Sequence, residues 1–177
     1  MTEFDDEVSS AETALLPAPK SPVTINLRPT WHGLGNYTFD ADVRFSHPHK
    51  GQGHNNGNMR FINGPDTFML TFTIANSPRR LQFVGVPDVL WLGPTPTCPP
   101  TSRWTMDAEI TVYACLGDTL VLRNNNVTVR EWIYALQMLD VDNNPVTYDP
   151  TISNGGGGSQ LYHRKADEDG GEHRHRE

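Results

Sequence analysis

Three histidines, His47, His49 and His54, fall close together in the segment Ser46-His-Pro-His-Lys-Gly-Gln-Gly-His-Asn-Asn-Gly57. Imidazole is a common ligand for zinc, copper and nickel. Three imidazoles around an open coordination position form a catalytic zinc arrangement. The spacing here matches no fixed metal motif, and the segment is rich in Gly and Asn. The simpler reading is a flexible, solvated loop joining two strands, with a metal site at His47, His49 and His54 as the alternative. His163, His173 and His175 sit among Glu and Arg near the C-terminal end, where weak adventitious metal binding is the expected behaviour.

The remaining reactive side chains point to less. Cys98 stands in Pro-Thr-Cys-Pro-Pro, which holds a loop extended. No cationic neighbour or helix N-terminus is evident to activate its thiol. Cys115 is expected in a strand beside Tyr113, off the face formed by Ile110 and Val112. One disulfide between the two is possible, and sequence does not decide it. Neither cysteine has a closely following His, so a type I copper centre is not expected. Asp40 and Asp42 lie two apart on a polar strand face and read as solvated acids. Asp140, Asp142 and Asp149 could approach a calcium ion but lack the ordered D-x-D-x-D-G loop. G-x-S-x-G, H-E-x-x-H, C-x-x-C and Gly-rich phosphate loops are absent. No catalytic constellation is predicted.

The elements that must position these residues have a period of two. Val23, Ile25 and Leu27 alternate with polar neighbours, as do Tyr37, Phe39, Ala41, Val43 and Phe45, and Phe68, Leu70, Phe72 and Ile74. Such alternation marks half-buried strands. Leu81–Val86 and Val89–Leu92 are short and apolar. Ile110, Val112, Ala114 and Leu116 predict one face of another strand, followed by Thr119–Arg123 after a Gly117-Asp118 turn. Trp132–Val141 is apolar on both sides and is predicted as a central buried strand. Trp132 and Tyr134 are read there as core anchors. Val146–Tyr148 is expected to be a short final strand. Turn chemistry separates these runs at Gly33–Asn36, Asn63–Asp66, Asn76–Pro78, Gly93–Pro100 and Asn124–Asn126. No segment carries a capped helical stripe. Seven to nine short strands predict an all-β sandwich, with a small barrel as the rival.

Composition divides the chain. Residues 1–21 are acidic, then rich in Pro and Ala, and are expected to be a disordered arm. Residues 22–154 form the predicted sandwich. Residues 155–177 are a GGGGS run and a charged tail, too polar to fold. The net charge of −7 disfavours nucleic acid and anionic membrane surfaces. The N-terminal MTEFDDEVSS lacks the basic and apolar regions of a secretory signal, and no run is apolar enough to span a membrane. A cytoplasmic protein with reduced thiols is expected.

The C-terminal stretch Trp132–Asn154, a long apolar strand, an acidic turn and Asp149-Pro150-Thr151-Ile152-Ser153-Asn154, resembles the end of small bacterial β-sandwich proteins of the DP-EP type. Leu81-Gln-Phe-Val-Gly-Val86 is also similar to that group. The resemblance covers about half the chain, from about Phe68 to Asn154. It implies an immunoglobulin- or cupredoxin-like sandwich and no activity. In the Asp149-Pro150 pair, proline is expected to end the ladder while the aspartate accepts backbone N–H bonds, closing the sandwich. The function expected is a non-catalytic binding or structural module, with a protein partner or self-association. Recognition is expected on the loops His47–Gly57 and Pro94–Trp104, where Pro94, Pro96, Pro99, Pro100 and Trp104 should be exposed.

Overall fold

The structure is a computed structural model that describes residues 21–62, 66–77, 79–94, 100–106 and 108–155. The expectations for the N-terminal arm, Cys98, Pro96, Pro99 and the tail histidines lie outside the described residues. Within them the protein is all-β, with thirteen strands and one short 3-10 turn at Pro48–Lys50. No helix of the described residues is long and apolar enough to cross a membrane.

Two sheets pack face to face. The first holds β1 (Ser21–Gly33), β2 (Asn36–Phe45), β5 (Phe68–Ile74), β9 (Ile110–Leu116) and β10 (Thr119–Asn124), in the order β2-β1-β5-β10-β9. The second holds β3 (Gly51–Gly53), β4 (Met59–Phe61), β6 (Gln82–Phe83), β7 (Leu90–Pro94), β8 (Ser102–Arg103), β11 (Arg130–Leu139), β12 (Pro145–Tyr148) and β13 (Thr151–Asn154). Its path runs β3-β4-β13-β11-β7-β8, with β12 and β6 also paired to β11. The period-two segments supply the core: Val23, Ile25 and Leu27 of β1 and Phe68, Leu70, Phe72 and Ile74 of β5 are all buried. They face Tyr134, Leu136 and Met138 of β11. β11 is the central strand of its sheet. Ile133 and Ala135 on its outer side are buried as well, which matches its apolar character on both sides.

Local chemistry explains the turns. Leu34 (φ 48°) and Gly35 (φ 75°) link β1 to β2 in the left-handed region, as a two-residue hairpin of matching twist requires. Asp140 makes the turn into β12 by accepting the backbone N–H groups of Asp142 and Asn144 at 2.9 and 3.0 Å.

Three expectations are corrected. The strands are more numerous than seven to nine, because the His-bearing segment is not one loop. It contains β3, which pairs with β4 just beyond the segment at an edge of the second sheet. Val146–Tyr148 is not the last strand, since β13 follows it. β12 and β13 keep one register along β11: Leu136 pairs with Tyr148 and Ile133 with Thr151. Pro150, which has no N–H, interrupts the ladder without displacing it. Its carbonyl still accepts the Tyr134 N–H at 3.1 Å. The alternation predicted for β9 also breaks. Val121 pairs with Ala114 and Leu122 with Val112, so Tyr113 is the extra residue of a β-bulge. Beyond it the faces exchange: Leu116 is exposed and Cys115 packs against the core.

Candidate functional site

The His47–Gly57 segment is fastened to the sandwich. β3 lies so close to β2 that a Cβ on Gly53 would stand 2.3 Å from Val43 Cβ. The Ala41 N–H donates to the Asn55 carbonyl at 2.6 Å. The Tyr148 hydroxyl donates to the Asn56 carbonyl at 2.9 Å, and the Tyr134 hydroxyl to the Gly57 carbonyl at 3.3 Å. Burial pushes the Tyr134 hydroxyl well above the ordinary tyrosine range, with Tyr148 adding to it. Tyr148 is raised too, by burial first and by the Asp149 charge second. Both hydroxyls therefore stay protonated and donate. Gly57, at φ 84°, leaves no room for a side chain, because a Cβ there would overlap the Tyr148 hydroxyl at 1.5 Å.

This anchoring sorts the histidines. His47 and His49 flank Pro48 in the 3-10 turn, both exposed, with ring centroids 5.9 Å apart. Ser46 Oγ lies 3.0 Å from His47 Nδ1. His54 stands beyond β3, separated from that pair by three extended residues, about 10 Å of strand. No group of three His, Cys, Asp or Glu able to hold a metal occurs among the described residues.

The other candidates have local partners. Cys115 is a free thiol that donates to the Val84 carbonyl at 3.3 Å, and burial raises its pKa. Asp42 is bound by Arg44 at 2.7 Å and lies 3.8 Å from Arg28, while Asp40 is exposed. The Arg44 hydrogen bond holds the Asp42 carboxyl below its usual range. The three acids considered for calcium are not gathered. Asp140 turns into its own loop, Asp142 pairs with Arg79, and Asp149 faces elsewhere. Of the proline-rich loop, Pro100 is buried and Trp104 is half-buried, its indole N–H donating to the Pro87 carbonyl at 3.1 Å. They are not exposed as expected, because Trp104 packs against the core.

The structure brings together a different set. A groove of about 580 Å³ is lined by Val84, Asp88, Trp91, Pro100, Gln137, Thr147 and Asp149. The pleat explains the grouping. Tyr134, Leu136 and Met138 of β11 point into the core, so Ala135 and Gln137 point outward. Trp91 of β7 pairs with Ala135, and Gln137 pairs with Thr147 of β12. The unbroken register from β12 to β13 puts Asp149 at the level of Ala135 as well. The small Ala135 thus lies between Trp91 on one side and Asp149 on the other, roughly 10 Å across two strand spacings.

Bonds within the groove fix its polar groups. The Trp91 indole N–H donates to the Asp88 carbonyl at 3.0 Å. Arg103, paired with Trp91 across β7 and β8, sits 5.6 Å over the indole ring and 2.5 Å from the Asp88 carboxylate. Thr147 donates its hydroxyl to Gln137 Oε1 at 2.8 Å. Sequence reasoning missed this set because three strands, distant along the chain, contribute to it. The one local signal is Gln137, the polar residue inside the apolar run Trp132–Leu139.

Fold and site together define a two-sheet β-sandwich with a mixed polar and aromatic groove on the outer face of one sheet. No protein family matches the chain, and neither does any curated protein.

Proposed function

We propose that the protein is a non-catalytic binding module whose ligand enters the Trp91 groove. The observation that carries this reading is the groove itself. Its volume lies within the range of ligand sites, and it combines an aromatic ring and apolar walls with a few fixed polar groups. Its floor is a hydrogen-bonded sheet, which suits recognition without rearrangement. Among its described lining residues the one hydroxyl, Thr147, donates to the Gln137 amide oxygen. Membership of the DP-EP-type, immunoglobulin- or cupredoxin-like sandwiches is part of the same proposal, supported by the two-sheet packing and by the Asp149–Asn154 sequence.

The test is a fragment screen followed by NMR of the isotopically labelled protein. The four indole N–H signals of Trp31, Trp91, Trp104 and Trp132 report separately on four regions. Binders that shift Trp91 above the other three support the reading. Binders that shift only the others, or a screen without binders, overturn it. The second reading, a metal protein, draws on the neighbouring His47 and His49 rings. It predicts about one zinc, copper or nickel per chain in protein ending at Asn154, lost in a His47→Ala/His49→Ala variant. Metal-free protein would end it.

A further inference from the structure

We infer that the groove binds a neutral carbohydrate, with a sugar ring packed on Trp91; this rests on the groove being the ligand site proposed above. The inference comes from matching the lining to ligand chemistry. Trp91 has its polar edge engaged, since its N–H donates to Asp88, so it offers the groove a π surface. Arg103 approaches the ring from the β8 side, while Gln137, Thr147 and Asp149 lie on the β11 and β12 side. Val84 and Pro100 extend the apolar surface. A pyranose has an apolar face of C–H groups and a rim of hydroxyls, and this combination fits an aromatic wall beside a polar row.

The polar row supplies both halves of what a hydroxyl requires. Because Thr147 donates to Gln137 Oε1, the amide is oriented and its N–H groups are left to donate. The Thr147 oxygen, whose own hydrogen goes to Gln137, accepts. Each sugar hydroxyl donates and accepts at once, so adjacent hydroxyls can meet both kinds of partner. Other ligand classes fit less well. An anionic ligand would meet the Asp88 and Asp149 carboxylates of the lining, and the bordering Arg103 is already paired with Asp88. A simple ammonium would leave the Gln137 N–H groups facing a cation, and the Arg103 charge already stands at the Asp88 carboxylate and over the Trp91 ring. A purely aliphatic ligand would strip water from Gln137, Thr147 and Asp149 without replacing its hydrogen bonds.

The experiment titrates the full chain with soluble neutral hexasaccharides of glucose, mannose, xylose and N-acetylglucosamine, read by tryptophan fluorescence and by the indole N–H signals. Spermine and a lysine-rich peptide form a parallel arm. At least one neutral oligosaccharide is expected to bind and to shift the Trp91 signal. Trp91→Ala should weaken that binding at least about tenfold, the scale of one lost aromatic platform. Gln137→Ala, a milder change, should weaken it by several-fold or more, while Gln52→Ala, outside the groove, should leave it unchanged. Binding of the polyamine or peptide at Trp91, with no response to any sugar, overturns the carbohydrate assignment and leaves the groove as a ligand site. No response at Trp91 in either arm overturns both. Sugar binding that survives Trp91→Ala and Gln137→Ala in folded protein also overturns the inference.

Discussion

Replacing Gly57 by alanine tests whether the His-bearing segment is as firmly held as its contacts imply. Gly57 has φ 84°, and a Cβ there would lie 1.5 Å from the Tyr148 hydroxyl oxygen and 2.7 Å from Tyr148 Cζ. The left-handed backbone costs alanine about 1–2 kcal/mol, and forcing Tyr148 aside adds about 1–3 kcal/mol. The stiffer unfolded chain returns about 0.4–1 kcal/mol. The expected loss for Gly57→Ala is therefore roughly 1–5 kcal/mol. Tyr148→Phe removes the bond to the Asn56 carbonyl, which is on an exposed residue that water can reach, and should cost about 1 kcal/mol. The two changes should not add. Without the hydroxyl, the closest overlap is gone, and the double variant should be at least about 1 kcal/mol more stable than the sum predicts. Urea unfolding followed by tryptophan fluorescence gives all four free energies. A near-neutral Gly57→Ala, or additivity within about 0.5 kcal/mol, would refute the anchored segment.

Other expectations follow from the same contacts. Asn124 and Asn154 exchange two amide hydrogen bonds at 2.7 and 2.9 Å, both fully buried, tying β10 to β13. Asn154→Ala should cost about 2–4 kcal/mol in urea unfolding because the buried Asn124 Nδ2 group loses its acceptor, and a loss under about 1 kcal/mol would show that tie to be unimportant. The Asp140 carboxyl is held below its usual range by the Asn144 side chain first, then by the Asn144 backbone N–H, the Arg79 charge and the Tyr37 hydroxyl, against the effect of burial. That contribution is complete above the unfolded carboxyl value and is lost as pH falls through the lower folded value, so the stability gap between wild type and Asp140→Asn should narrow below about pH 4. A gap that widens on acidification contradicts it. Burial raises the Cys115 thiol, so in a Cys98→Ser background iodoacetamide at about pH 8 should label folded protein at least about tenfold more slowly than urea-unfolded protein; equal rates would mean the thiol is open.

The strands were legible where one face is buried and one is wet. β5 begins and ends at Phe68 and Ile74, the limits of its alternation, and β2 is nearly as clear. The central place of β11 was legible from its doubly apolar character. The bulge at Tyr113 was not, because one inserted residue changes the faces without changing composition. The edge strand β3 was hidden by glycines and asparagines that read as a loop, and β4 by its length of three residues. Those glycines are there for close approach: only a bare backbone fits where Gly53 meets Val43. The groove was illegible for a different reason. Trp91, Gln137, Thr147 and Asp149 are ordinary in their local settings, and only the register of β7, β11 and β12 makes them neighbours. The interest of Asp149-Pro150 was visible, but the clasp between the sheets is Asn154, the last residue of the same motif.

The pairing of β11 with four other strands has a consequence for synthesis. β11 begins at Arg130, yet β6 and β7 precede it in the chain and need it as a neighbour. β1, β2 and β5 leave the ribosome earlier still, with an apolar face that finds its cover in Tyr134, Leu136 and Met138. A nascent chain stopping short of Leu139 therefore holds a half-sandwich without its opposing layer. The pairs that close the fold are long-range, and such topologies form slowly. Closing the two layers must wait until β11 has been made, which leaves the earlier strands' apolar face uncovered during translation, a condition that favours aggregation.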